Sequence, residues 1–202
     1  MVWLIKTIQD ATDARLSLDS PSFKTQQAGL NECKREALIN STTAEQKRMD
    51  KFLPLAKEFG AEIVCLTINE KGIPNTVEGR TELGMMLLTS AMDQGISQDK
   101  IFLDGVVLPI TAAQDQCSVL LETVTALRAL SSPPPRTLVG LSNVSSGAEE
   151  KSLLNRTYLA MLRGRGVDAA IVDPNDEDLM KIAKATDVLL NQKLYAHSFL
   201  KV

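Results

Sequence analysis

Histidine is almost missing from this sequence: His197 is the only one in 202 residues. Most of the chain therefore has no imidazole to serve as a general base, and His197 itself reads as a surface residue of the C-terminal end. Cysteine is scarce as well. Cys33, Cys65 and Cys117 are odd in number and far apart, with no CxxC pair and no Cys/His cluster. That pattern argues against a zinc site and against a disulfide framework, and it leaves the three thiols as core residues. No apolar run approaches the roughly 18 residues that a membrane span needs. The opening MVWLIKTIQD lacks the charged start, long apolar centre and small-residue cleavage site of a signal peptide. The expected address is the cytoplasm, with no membrane partner. A basic stripe is absent too: the net charge is -3 and the pI about 5.3, which disfavours nucleic acid as a partner. No GxGxxG follows any apolar run, which disfavours a dinucleotide fold.

What the sequence does contain is a repeated unit. Short apolar runs end in polar residues and are followed by stretches of helical period. The runs are Leu16 to Asp19, Ala37 to Ile39, Ile63 to Leu66, Lys100 to Leu103, Leu138 to Leu141 and Val167 to Val172. A helix over Met1 to Asp13 carries Trp3, Leu4 and Ile8. Pro21 suits the first position of the next helix. Thr42-x-x-Glu45, Thr111-x-x-Gln114 and Ser146-x-x-Glu149 read as capping boxes. Gly60 reads as a helix stop and Asp176 as the start of the last long helix. Inward faces are expected at Met49, Phe52, Leu53 and Ala56; at Leu83, Met86, Leu87 and Ala91; and at Leu120, Leu121, Val124 and Leu127. Two more lie at Leu154, Tyr158, Met161 and Leu162, and at Leu179, Ile182, Ala183, Thr186 and Leu190. A short helix is expected over Tyr195 to Val202. Alternation of buried strands and helices implies a parallel α/β sheet with helices outside. A (β/α)8 barrel explains the repetition, but such barrels typically run to about 250 residues. Six units fit either a smaller open sheet or a barrel whose first part is absent.

The polar residues at the strand ends are Asp19, Asn40, Thr67 with Asn69, Asp104, Ser142 with Asn143, and Asp173. In a parallel barrel, residues at these ends converge on one mouth. The set contains no lysine, histidine or cysteine, so Schiff-base and thiol chemistry are not served there. A carboxylate can accept two parallel N–H bonds from an amino-pyrimidinone edge. A primary amide can donate to one ring atom and accept from the next. Asp, Asn and Ser before helices are also ordinary N-caps. Asn40 and Asn143, however, each precede a separate Ser or Thr better placed to cap.

The motifs LDS (Leu18 to Ser20), LINST (Leu38 to Thr42), FLD (Phe102 to Asp104), AQD (Ala113 to Asp115), GLSNVS (Gly140 to Ser145), LLNRTYLAM (Leu153 to Met161), DAAIVD (Asp168 to Asp173) and LLNQ (Leu189 to Gln192) resemble one family. It is the pterin-binding methyltransferases of the dihydropteroate-synthase-like superfamily, the methyltetrahydrofolate:corrinoid/iron-sulfur protein methyltransferases among them. The resemblance runs from about Trp3 to Val202, and GLSNVS followed by NRT is its most specific part. It implies a (β/α)8 TIM barrel of the pterin-binding type, here lacking about the first two strand units, so that residues 1–202 form a single domain incomplete at its N-terminus. The strands at Leu16 and Val167 then become open edges. The resemblance also implies methyltetrahydrofolate as methyl donor, a corrinoid protein of the corrinoid/iron-sulfur type as partner, a homodimer, and no metal of the chain's own. By position it assigns pterin binding to Asp19, Asn40, Asp104, Gly140, Ser142 and Ile171, and the catalytic role to Asn143. The chain departs from the family at Ser146-Gly147, where relatives often carry amides, at Lys151, where arginine is usual, and at Gly105, where proline is common.

The implied reaction moves the methyl group of 5-methyltetrahydrofolate to the cobalt of a corrinoid protein. A tertiary amine leaves poorly until it is protonated. An asparagine amide does not titrate in this range, but it can stabilise the protonated amine as a positioned dipole. Two other readings stand beside this one. A dihydropteroate synthase-like enzyme would want basic residues at the later strand tips, which Arg136 and Lys151 do not supply. A non-catalytic pterin-binding or dimerisation module would bind without transferring.

Overall fold

The computed structural model describes residues 1–200. The chain divides into two compact units. One comprises Met1–Pro74 and Gly79–Asp104; the other comprises Asn75–Glu78 and the chain from Gly105 onward. The first holds α1 (Val2–Ala11), β1 (Ser17–Asp19), α2 (Phe23–Leu30), β2 (Leu38–Thr43), α3 (Gln46–Phe59), β3 (Glu62–Leu66), most of α4 (Val77–Asp93) and β4 (Ile101–Asp104). The second holds α5 (Gln116–Arg128), β5 (Arg136–Gly140), a 3-10 helix (Leu141–Ser145), α6 (Lys151–Gly164), β6 (Ala169–Ile171) and α7 (Glu177–Leu189). The six expected strand–helix units are thus all formed, and their alternation makes the class α/β.

In the first unit β1, β2, β3 and β4 pair in chain order, every pair parallel. Leu18, Ile39, Ile63 and Ile101 align across the four strands and are each at most 3% exposed, so they form one buried row. Strands β3 and β4 are buried on both faces, as the near-continuous apolar runs require. Helix α3 buries Met49, Phe52, Leu53 and Ala56 as its periodicity predicts, together with Leu55. Full burial of a side chain such as Phe52 or Leu53 is worth about 1.5–3 kcal/mol, so this face alone accounts for much of the adhesion of α3. Gly60 ends the helix with φ +60°, the left-handed conformation that glycine adopts without strain.

In the second unit β5 and β6 are parallel, with Gly140 aligned to Ile171. Leu120, Leu121, Val124, Val139, Tyr158, Leu162, Val167 and Leu179 belong to one buried cluster. Asp176 caps α7 by accepting from the Leu179 N–H, and Arg156 grips the same carboxylate through Nε and Nη2.

Several local expectations are corrected. Ser22, not Pro21, governs the start of α2, accepting from the Thr25 N–H. None of the three capping boxes forms. Strand β2 runs on through Thr42, α5 starts only at Gln116, and α6 only at Lys151. In each case strand pairing or an intervening loop takes the backbone that the box would have closed. Met86 and Met161 are 38% and 48% exposed rather than inward. The inward face of α4 is Gly84, Leu87, Leu88 and Ala91, an i, i+3, i+4, i+7 stripe that includes a glycine. Trp3, Leu4 and Leu190 are also exposed, and Ile5 is the buried residue of α1. Residues 197–200 form turn rather than helix, and the remainder of the expected C-terminal helix, 201–202, lies outside the described residues. No helix among the described residues is long and apolar enough to cross a membrane.

Candidate functional site

Asp19 and Asp104 are the last residues of β1 and β4, and Asn40 lies within β2 where its register slips. The sheet register brings them together. Asp19 aligns with Asn40, and Asn40 with Val64. Asp104 aligns with Leu66, two residues beyond Val64 and so on the same face of β3. Neighbouring strands lie roughly 4.8 Å apart, so the Asp19 carboxylate and the Asn40 amide stand on adjacent strands, with the Asp104 carboxylate two strands beyond Asn40. The buried row of Leu18, Ile39, Ile63 and Ile101 occupies the opposite face. The same alternation therefore turns these three to the other face of the sheet, which is itself buried at β3 and β4, where Val64 is 0% and Phe102 4% exposed.

Asp19 is exposed, Asn40 half-buried and Asp104 buried at 6% exposure. Asp104 is held through its backbone: its carbonyl accepts from both the N–H and the Oγ1 of the fully buried Thr67, at 3.0 and 3.1 Å. Asn40 lies at an irregularity. The β2–β3 register passes from Asn40 opposite Val64 to Thr42 opposite Cys65, so Ser41 is an extra, bulged residue. The Asn40–Ser41 peptide bond is cis.

In the second unit Gly140 closes β5, and the 3-10 helix follows at once. Three residues per turn put Leu141 and Val144 on one side, and both are buried. Ser142 and Asn143 fall on the other side and are exposed. The Asn143 carbonyl accepts from the Ser146 N–H at 3.1 Å, which fixes its backbone. A Cβ placed on Gly140 would lie 3.3 Å from Asn143 Nδ2, so the missing side chain makes room for this amide. Ile171, at the end of β6 beside Gly140, is 45% exposed.

The capping explanation of these residues does not hold. Ser22 caps α2, and the residues at the N-caps of α3, α5 and α6 are Glu45, Asp115 and Glu150. Among the described residues none gives a hydrogen bond to the side chains of Asp19, Asn40, Ser142 or Asn143. Their polar groups have no structural duty. Two other strand-end residues are different. Asn69 accepts from the Lys71 N–H in a tight turn, and Asp173 accepts from the N–H and side-chain amide of Asn175. Both serve local turns.

Burial raises the pKa of Cys33, Cys65 and Cys117; that of Cys65 is pushed up to about 12. None is an activated thiolate. His197 meets Tyr195, its Nδ1 3.0 Å from the phenol oxygen. Among the described residues no group of three or more His, Cys, Asp or Glu could hold a metal ion.

The residues that hold the tips in place, Gln26, Arg48 and Thr67, are not evident from motif spacing alone. Gln26 does leave a trace. It occupies the inward position between Phe23 and Leu30 on α2, where an apolar residue is the norm, and it is completely buried.

The chain belongs to the pterin binding enzyme family, whose model matches residues 1–173. Its fold is that of the dihydropteroate synthases, the (β/α)8 barrel of the pterin-binding type, six of whose strand–helix units lie in this chain. A Yersinia pestis dihydropteroate synthase with a pterine-sulfa conjugate superposes with a TM-score of 0.74 at 13% identity, over 96% of this chain and 75% of that one. The Xanthomonas albilineans enzyme in complex with 7,8-dihydropteroate gives 0.71 at 16%, over 97% and 73%. Sequence similarity points elsewhere within the family. The chain is 29% identical over 201 residues to the methylcorrinoid:tetrahydrofolate methyltransferase of Eubacterium limosum, covering 98% of this chain and 74% of that protein. It is 32% identical over 168 residues to the methionine synthase of Mycobacterium leprae, covering 78% of this chain and 14% of that much longer protein.

Proposed function

We propose that this protein binds the pterin of a tetrahydrofolate and transfers a methyl group between its N5 and the cobalt of a corrinoid protein. The observation that carries the reading is the set of unengaged polar side chains of Asp19, Asn40, Ser142 and Asn143, in a chain whose sequence relatives include a methylcorrinoid:tetrahydrofolate methyltransferase. Asp19 and Asp104 provide carboxylates for the amino-pyrimidinone edge, and Asn40 provides an amide that both donates and accepts. Gly140, Ser142 and Ile171 contribute further contacts to the pterin. All of residues 1–202 act as one pterin-binding domain in this reading.

Asn143 is the catalytic residue. Its amide is exposed and free to turn, and it can accept a hydrogen bond from N5 when that nitrogen is protonated. Loss of the methyl group depends on this protonation, because without it the bond would have to expel an amide anion. In the gain direction the neutral secondary amine takes the methyl group, and N5 then gives up its proton. The amide holds the proton at N5 without supplying it; solvent is the source. The chain contributes no nucleophile, since the corrinoid carried by the partner provides the cobalt that takes or gives the methyl group. The same contacts serve both directions. That agrees with a relative named for transfer from a methylcorrinoid to tetrahydrofolate.

The partner is a corrinoid protein, with the corrinoid/iron-sulfur type as the specific expectation, and the working form is a homodimer in the cytoplasm. Exposed Leu153 and Met161 on α6, beside an apolar cavity of about 300 Å³ between α5 and α6, supply a face that such a dimer could bury. Methyl transfer from 5-methyltetrahydrofolate to reduced cobalamin, followed by absorbance, tests the activity. Asn143→Ala is expected to lower kcat by about 10²–10³ while pterin affinity changes only a few-fold. Binding by the wild-type protein without any transfer would favour the non-catalytic module instead.

A further inference from the structure

The backbone around Asn40 is held from two helices by two polar side chains, Gln26 fully buried and Arg48 partly so. From α2, the Gln26 carboxamide donates through Nε2 to the carbonyl of Ser20 at 3.1 Å and to that of Asn40 at 3.3 Å. Ser20 directly follows Asp19, so one amide group ties the two neighbouring tips together. From α3, Arg48 Nη2 donates to the carbonyl of Ser41 at 2.8 Å. The Arg48 guanidinium lies 4.7 Å from the centre of the Phe52 ring, and Phe23, one turn before Gln26, meets Phe52 edge-on at 5.8 Å. Arg48 is thus braced on Phe52, and the Phe23–Phe52 contact joins the two helices that carry the donors.

The bulge explains why such donors are needed. Ser41 has no aligned partner on β3, so carbonyls around it leave the regular ladder. Half-buried carbonyls that leave the ladder need donors, and Gln26 and Arg48 supply them. They do so at a cost to themselves: Gln26 Oε1 and Arg48 Nε are buried with no hydrogen-bond partner among the described residues. Straight pairing of β2 with β3 would need neither side chain. The bulge and its two supports make structural sense together if the direction of the Asn40 amide matters.

We infer that Gln26 and Arg48 are positioning residues for pterin recognition, which hold the Asp19–Ser20 and Asn40–Ser41 backbone so that the Asn40 amide and the Asp19 carboxylate stand at a fixed separation. The inference rests on the pterin-binding reading given above. Neither side chain touches the pterin itself. Their work is to remove freedom from two groups that do, so that less ordering is left to occur on binding.

The test compares wild type with Gln26→Met, Arg48→Met and Arg48→Lys, using calorimetric titration of 5-methyltetrahydrofolate and steady-state transfer to reduced cobalamin. Leu53→Ala serves as a control: it opens a cavity in α3 but removes no donor. Gln26→Met and Arg48→Met are each expected to raise Kd and KM for the folate about tenfold, with kcat at saturation within about threefold of wild type. Arg48→Lys keeps one donor for Ser41 and should recover affinity to within about threefold. Leu53→Ala should lower the melting temperature at least as much yet leave KM within about twofold. Arg48 is partly exposed, so its variants carry the test independently should Gln26→Met fold poorly. Unchanged KM in Arg48→Met, or an equal rise in Leu53→Ala at matched loss of stability, overturns the inference. Absence of folate binding by the wild-type protein is a separate outcome, seen before any variant is made, and it overturns the functional reading together with everything built on it.

Discussion

Gly140→Ala should slow methyl transfer without weakening the fold. Gly140 has φ -82° and ψ 86°, so its backbone lies at negative φ and does not require glycine. The added Cβ would lie 3.3 Å from Asn143 Nδ2, tighter than nine in ten such contacts, and one partner must give by a few tenths of an ångström. The exposed amide is the softer of the two, so Asn143 turns or shifts. A misplacement of 1 Å can cost about 10²-fold in rate. A shift of a few tenths should cost about tenfold in kcat, or about 1.4 kcal/mol in the barrier. Stability should hold or rise, by up to about 1 kcal/mol, because alanine restricts the unfolded chain. The assay is transfer to reduced cobalamin, with urea unfolding on the same samples. A double-mutant cycle sharpens it: once Asn143→Ala is present, Gly140→Ala should have no further effect on kcat at saturating folate, since the amide it displaces is gone. Equal tenfold losses in both backgrounds would show that Gly140 acts on something other than Asn143, and an unchanged rate in the single variant would refute the steric argument outright.

Two predictions concern titration. With the pKa of Cys65 raised by burial from 9.0 to about 12, the unfolded chain loses this proton before the folded one does. Stability should therefore fall as pH rises from about 9 towards 12, and the fall should be shallower in Cys65→Ala when both are unfolded in urea across that range. The Asp176 carboxyl is held below its ordinary 3.8, first by the hydrogen bond from Arg156 and then by that from the Leu179 N–H. Its contribution is complete above pH 3.8 and is lost as pH falls further. Asp176→Asn should thus lower the melting temperature at pH 7 and remove part of the wild-type acid sensitivity below pH 3.8, which thermal scans would show.

The sequence determined the architecture because its signals are local. Alternating apolar runs and helical stripes place six strands and their helices, and the buried faces of α3 and α5 appear where the period-3.6 pattern puts them. Polar residues at the ends of apolar runs mark Asp19, Asn40, Asp104, Ser142 and Asn143 in the sequence itself. Only the tertiary structure separates Asp19, Asn40, Ser142 and Asn143, whose side chains no described residue engages, from Asn69 and Asp173, which read alike in sequence but are taken up by turns. Capping boxes at Thr42, Thr111 and Ser146 satisfy the local pattern and still do not form, because strand pairing and loop geometry claim the same backbone. The slip at Ser41 is likewise invisible in sequence: it exists only as a register between β2 and β3. Its supports lie elsewhere in the chain, Gln26 on the helix before and Arg48 on the helix after, and the demand they meet is set by carbonyls left without a ladder partner. Local periodicity decides which residues are buried; the pairing of distant backbone groups decides which polar ones are left free to bind.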